Sequence, residues 1–131
     1  MRRRSIAANT MTTLFLIRHA DNDYVGKKLA GWTPGVHLNE KGRHQAQALA
    51  ARLSSVPFNV IYSSPLDRAI ETAQPLAKAK GLTVRKRGSL GEVQYGEWTG
   101  KSLRVLQRTK LWRVVQLSPS NMAPRFLSRR L

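Results

Sequence analysis

A histidine follows an arginine where a short apolar run ends: residues 13–18 read TLFLIR, and His19 comes next. If that run is a strand of a parallel α/β sheet, His19 stands at its carboxyl end, the edge where such sheets bind ligands. Arg68 holds the corresponding place after a second apolar run. Residues 59–63, NVIYS, are followed by Ser64 and Pro65, a cap and first residue suited to opening a helix. Free backbone N–H groups at a helix start and a planar guanidinium fork both match phosphate oxygens. Arg18 offers a second fork. A neutral imidazole in such a cradle can attack phosphorus and hold the phosphoryl group covalently, and neighbouring arginines disfavour the imidazolium form. The leaving alkoxide then needs a proton. Glu92, in an irregular loop, is the candidate acid, with Glu97 as its competitor.

The elements that must position these groups alternate along the chain. After the first strand, a loop containing GKKLAGWTPG is broken by glycine and proline. From Asn39, a plausible N-cap, the pattern turns helical: Ala46, Leu49, Ala50 and Leu53 share a face, and Arg43, His44 and Gln47 point to water. The second strand leads into a helix whose buried face is Leu66, Ala69, Ile70, Ala73 and Ala77. Arg68 lies off that face in the first turn, and Pro75 is expected to kink or fray the second half. A short strand is expected over residues 82–85, then the loop GSLGEVQYGEWTG, then a last helix capped by Ser102 and running to about Leu117. Such alternation predicts an α/β layered fold with a mainly parallel sheet.

Composition narrows the setting. The chain has 131 residues and a net charge of +16, and its seven acidic residues all fall between positions 21 and 97. One domain fits that length. The charge favours phosphate in some form, on a metabolite, a lipid or a nucleic acid, without choosing among them. Nucleic-acid binding ranks low because no nucleic-acid fold or aromatic platform pattern is visible. There is no cysteine, which excludes disulfides and thiolate metal sites and fits a reducing compartment. The longest apolar run is LFLI, too short to cross a membrane or serve as an export signal, so a cytoplasmic protein is expected. No metal or other cofactor is called for by the residues present.

Four segments in order resemble the histidine phosphatases, the phosphoglycerate mutase-like superfamily. LIRHADND resembles that family's Arg-His-Gly signature, with Ala20 in place of glycine. GWTPGVHLNEKGRHQA is similar to the following loop and helix, IYSSPLDRAIETA to the second arginine motif, and LGEVQYGEWTG to the acidic loop. The resemblance spans residues 13–119. It implies a three-layer α/β sandwich with a mainly parallel sheet. His19 would be the phosphorylated nucleophile, Arg18 and Arg68 phosphate ligands, and Glu92 the proton donor. The substrate would be a small phosphorylated metabolite. Hydrolysis is favoured over mutase-type transfer because EVQYGEWTG looks more like the phosphatase branch.

The sequence also departs from the family pattern. Val25 stands where the family commonly has a polar residue, usually asparagine, and Asn22 is assigned that substrate contact in its stead. The family's second pocket histidine, on a late strand, has no counterpart after Trp98. Where relatives continue into Phe-Pro-Gly-Gly, this chain reads RFLSRRL, and Leu-Ser-Arg-Arg-Leu can be encoded so that reading one base later gives Phe-Pro-Gly-Gly. The expectation is therefore a partial domain over 13–119, incomplete at its C-terminus. A basic extension, residues 1–12, precedes it, with Met11 as an alternative start, and a frameshifted tail, residues 120–131, follows. An inactive fragment binding polyanions is the alternative of another class. Loss of a central strand would leave a sheet edge uncovered and promote homodimerisation or aggregation.

Several conspicuous residues carry plain expectations. His37 belongs to a loop and His44 to a solvent face. The run RKR at 85–87 is a solvated patch. Trp98 and Trp112 are core or lid residues.

Overall fold

The computed structural model describes residues 11–118; the expected N-terminal extension, apart from its last two residues, and the expected tail lie outside the described residues. Helix α1 (Glu40–Arg52) begins where Asn39 caps it, the Asn39 carboxamide oxygen accepting the Gly42 N–H at 2.8 Å. Glu40 in its first turn and Arg52 in its last oppose the helix dipole with the favourable signs. Ala46 and Ala50 are buried, while Arg43, His44 and Gln47 are exposed, as their spacing predicts.

Strand β1 (Ile61–Ser63) runs into α2 (Asp67–Lys80), which returns to β2 (Val84–Lys86). The two strands pair in parallel, Ile61 opposite Val84 and Ser63 opposite Lys86, so α2 is the crossover of a βαβ unit. Ala50, Ile61, Leu76 and Ala77 form the core, with Leu53, Phe58, Ala73, Leu82 and Val84 packed around it. Burying a side chain of leucine size contributes about 1.5–3 kcal/mol, so α1, α2 and the strands hold one another through these contacts.

α2 starts two residues later than Pro65, with Leu66 at the cap position and Ser64 Oγ accepting the Leu66 N–H at 3.2 Å. The helix continues through Pro75 to Lys80, so the expected fraying does not occur. Its fully buried positions are Arg68, Thr72, Leu76 and Ala77; Leu66, Ala69, Ile70 and Ala73 are only half-buried. Leu76 and Ala77 join Ile61 of β1 in the core, whereas one and two turns earlier, at Thr72 and Arg68, the same helix is met by loop backbone.

Residues 13–18, expected as a buried strand, do not join the sheet. Leu14 is 78% exposed and Leu16 92%. An apolar, β-prone run becomes a strand only where a neighbour supplies the ladder, and among the described residues none pairs with it. Phe15 rests edge-on against Phe58, ring centroids 5.2 Å apart.

The expected last helix is two. α3 (Leu103–Leu106) and α4 (Lys110–Leu117) are separated at Thr109, whose hydroxyl donates to the Leu106 carbonyl at 2.7 Å and accepts the Trp112 N–H at 3.3 Å. One threonine thus ends one helix and caps the next. Ser102 occupies the cap position of α3 without a side-chain hydrogen bond. Trp98 and Trp112 lie tilted at 45° with centroids 6.0 Å apart, both half-buried. Among the described residues no helix is long and apolar enough to cross a membrane.

Candidate active site

His19 is half-buried at the start of the loop that precedes α1. Its Nδ1 lies 2.8 Å from the Ala20 carbonyl oxygen. A carbonyl only accepts, so this contact places the ring proton on Nδ1 and leaves the Nε2 lone pair free in the neutral imidazole. The residue after it is fixed from the other side: the Ala20 N–H donates to Thr72 Oγ1 at 2.9 Å, and the same hydroxyl donates to the Arg68 carbonyl at 2.6 Å. His19 is thereby tied to the first turns of α2.

Farther along, the Asp21 N–H donates to the Gln45 side chain at 2.8 Å, and the Asp21 carbonyl accepts the Asn39 N–H at 3.2 Å. A Cβ at Gly42 would sit 2.0 Å from that carbonyl, so only glycine lets α1 approach the loop this closely. The Lys41 ammonium, 2.8 Å from the Asp21 carboxylate, holds that carboxyl below its usual range. Asn22 is 2% exposed. Its side-chain oxygen accepts the Tyr24 N–H at 3.0 Å, while its Nδ2 has no hydrogen-bond partner.

Arg68, expected off the buried face of its helix, is 2% exposed. The loop carrying Gly31 covers it, and one terminal guanidinium nitrogen donates to the Gly31 carbonyl at 2.8 Å. Its Nε and NH1 are buried without partners. No carboxylate among the described residues forms an ion pair with it. Burial lowers its pKa, opposed by the fields of Glu92 and Asp67. A buried cation with idle donors is costly unless an anion or water meets it.

Glu92 reaches this neighbourhood through the loop between β2 and α3. The Trp32 indole N–H donates to its carbonyl, and a Cβ at Gly91 would lie 2.1 Å from the Trp32 ring, so glycine is required for the two loops to dock. The Glu92 carboxylate accepts its own loop's Val93 N–H at 2.9 Å and the Tyr95 hydroxyl at 3.5 Å, and is otherwise exposed. Burial, then the nearby Glu92 charge, pushes the Tyr95 phenol up, so Tyr95 stays a neutral donor. The same loops are stitched by Leu29 N–H to the Lys101 carbonyl at 2.9 Å and Gly100 N–H to the Leu29 carbonyl at 2.7 Å.

The backbone after His19 and the loop of Gly31 and Trp32, on which the Glu92 backbone docks, are thus each held to α2, at Thr72 and at Arg68. Arg18 is exposed and makes no hydrogen bond or ion pair among the described residues. Glu97 is exposed as well. The sequence motifs do not by themselves mark Thr72, Gly31, Trp32 or Tyr95, nor the pairing of His37 with Glu71. The available signal was the run DRAIET: Asp67, Arg68, Glu71 and Thr72 recur at helical spacing and make a polar face unsuited to a sheet.

The β1–α2–β2 crossover unit, with a buried arginine in the first turn of α2 and a histidine in the loop held to that helix, defines an α/β protein. The model of the histidine phosphatase superfamily (branch 1) matches residues 14–125, and the chain belongs to that family. It is 41% identical over 92 residues to phosphoserine phosphatase 1 of Hydrogenobacter thermophilus, covering 69% of this chain and 43% of that protein. It is 34% identical over 113 residues to the 2,3-bisphosphoglycerate-dependent phosphoglycerate mutase of Bartonella tribocorum, covering 77% and 54%. Among solved structures, the phosphoserine phosphatase of Entamoeba histolytica in complex with 3-phosphoglyceric acid superposes with a TM-score of 0.68 at 30% identity, covering 85% of this chain and 54% of that one. The fold is the α/β phosphoglycerate mutase-like one. The chain spans about half the length of the relatives it matches.

Proposed function

We propose that this chain carries the phosphate pocket of a phosphomonoester hydrolase that works through a phosphohistidine at His19. One observation carries it: Arg68 is buried with two unpartnered guanidinium nitrogens, on the same helical face that holds the residue after His19. Phosphate oxygens are the acceptors those donors lack.

In this reading Arg68, Arg18 and the Asn22 amide hold the phosphoryl oxygens. His19 Nε2 attacks phosphorus, forming the N–P bond as the ester P–O bond breaks. Glu92, as the carboxylic acid, gives its proton to the departing alkoxide. Water then attacks the phosphohistidine, Glu92 takes up the proton, and inorganic phosphate and free His19 result. The substrate is a small phosphorylated metabolite met in the cytoplasm. The domain occupies residues 13–119. Transfer to a second acceptor alcohol, as in a mutase, is the second reading, favoured by the Bartonella relative.

The test is saturable release of phosphate from p-nitrophenyl phosphate by the full chain. Turnover that vanishes in His19→Ala is expected. Turnover undiminished in that variant, or a folded chain that neither turns over nor binds inorganic phosphate, overturns the proposal.

A further inference from the structure

α2 touches the pocket at a third point that the proposed chemistry does not use. One carboxylate oxygen of Glu71 meets His37 Nδ1 and the other accepts the Leu38 N–H at 2.8 Å. Leu38 is 3% exposed and stands opposite Asn22 in an isolated antiparallel pair. Its carbonyl accepts from the Arg43 guanidinium at 2.8 Å, so its backbone is held at both ends. Asp67 of the same helix accepts the Gly35 N–H at 3.0 Å, steadying the approach to this segment. Asn22, in turn, has its oxygen committed to Tyr24 and its Nδ2 buried and idle. With the oxygen fixed, the direction of Nδ2 is set by the backbone it stands on, and that backbone is set by Leu38.

We propose that Glu71 is a positioning residue for the phosphate pocket: by holding the Leu38 amide it fixes the Asn22–Leu38 pair and so aims the free Asn22 side-chain amide at bound phosphate. The inference rests on the pocket being a phosphate site. Glu71 itself touches no phosphate. Its work needs an acceptor for the Leu38 N–H, which glutamine supplies and alanine does not.

The experiment is titration of inorganic phosphate into the full chain and its Glu71→Ala, Glu71→Gln, Asn22→Ala and Asn22→Ala/Glu71→Ala variants. Glu71→Ala weakens binding roughly tenfold, the size expected for one hydrogen-bonded donor set loose. Glu71→Gln restores most of the affinity. In the Asn22→Ala background, removing Glu71 costs nothing further, because Glu71 acts through Asn22. A merely structural glutamate gives additive losses, and additive losses overturn the inference while leaving the phosphate site standing. Absence of phosphate binding by the wild-type chain overturns both. A readout free of variants is the Asn22 side-chain amide resonance of wild-type protein. It shifts on phosphate addition if the inference holds, and an unmoved resonance during saturable binding refutes it.

Discussion

Thr72 holds Ala20. Its hydroxyl oxygen accepts the Ala20 N–H at 2.9 Å across 52 residues of sequence while its proton goes to the Arg68 carbonyl one turn back. A single side chain therefore sets the distance between the backbone at His19 and the helix that carries Arg68.

Thr72→Val keeps the shape and removes both hydrogen bonds. The part-buried Ala20 amide is left without an acceptor, at a cost of about 1–3 kcal/mol. Denaturant unfolding is expected to show that loss, and Thr72→Ser to show little of it. Equal stability of the valine variant would mean that the link carries no weight.

Arg68→Met separates binding from stability. The guanidinium is desolvated and incompletely paired, so an apolar side chain of similar reach is expected to leave stability within about 1 kcal/mol of wild type or to raise it. Phosphate binding should be lost. In the wild type, phosphate at roughly 100 times its Kd should add about 2.7 kcal/mol of stability, and in Arg68→Met none. Thermal unfolding with and without phosphate checks both halves; phosphate stabilisation that survives the substitution contradicts the placement of the anion.

The His37–Glu71 pair gives a pH signature. The Glu71 carboxylate, by hydrogen bond and charge, raises the His37 pKa above 6.5, and Asp67 adds to it. A pKa raised on folding contributes stability that is fully present below pH 6.5 and is lost as pH rises through the raised value. NMR titration of the His37 ring should show this upward displacement in the wild type and its loss in Glu71→Gln. An identical midpoint in the two proteins would show that the pair does not form in solution.

Leu14 and Leu16 are the most exposed large apolar side chains of the 13–18 segment, at 78% and 92%. An uncovered run of this kind associates with its like or with any apolar strand. Size-exclusion chromatography of the 131-residue chain is expected to show dimers or larger species, reduced in Leu16→Lys. A sharp monomer peak at high concentration counts against it.

What the sequence disclosed was local. The Asn39 cap, the Ala46 and Ala50 spacing, the parallel strands around α2 and the loop bearing Glu92 follow from short-range pattern and turn chemistry. Helical periodicity counts apolar residues and so does not reveal the burial of Arg68, whose row, continued by Thr72 and Leu76, mixes polar with apolar. The 13–18 run has the pattern of a strand, but strand formation depends on a neighbour that its own residues do not specify. Thr109 breaks the last helix with neither glycine nor proline to announce it. The Glu71–His37 contact joins positions 34 residues apart, and nothing in either neighbourhood points to the other.

Whether His19 carries phosphate can be read directly. The full chain would be incubated with a radiolabelled phosphomonoester, quenched in alkali, and searched by mass spectrometry for acid-labile phosphate. Label is expected on His19 Nε2, absent from His19→Ala and reduced in Arg68→Met. Label on any other residue, or none on a wild-type chain shown to be folded, would contradict it.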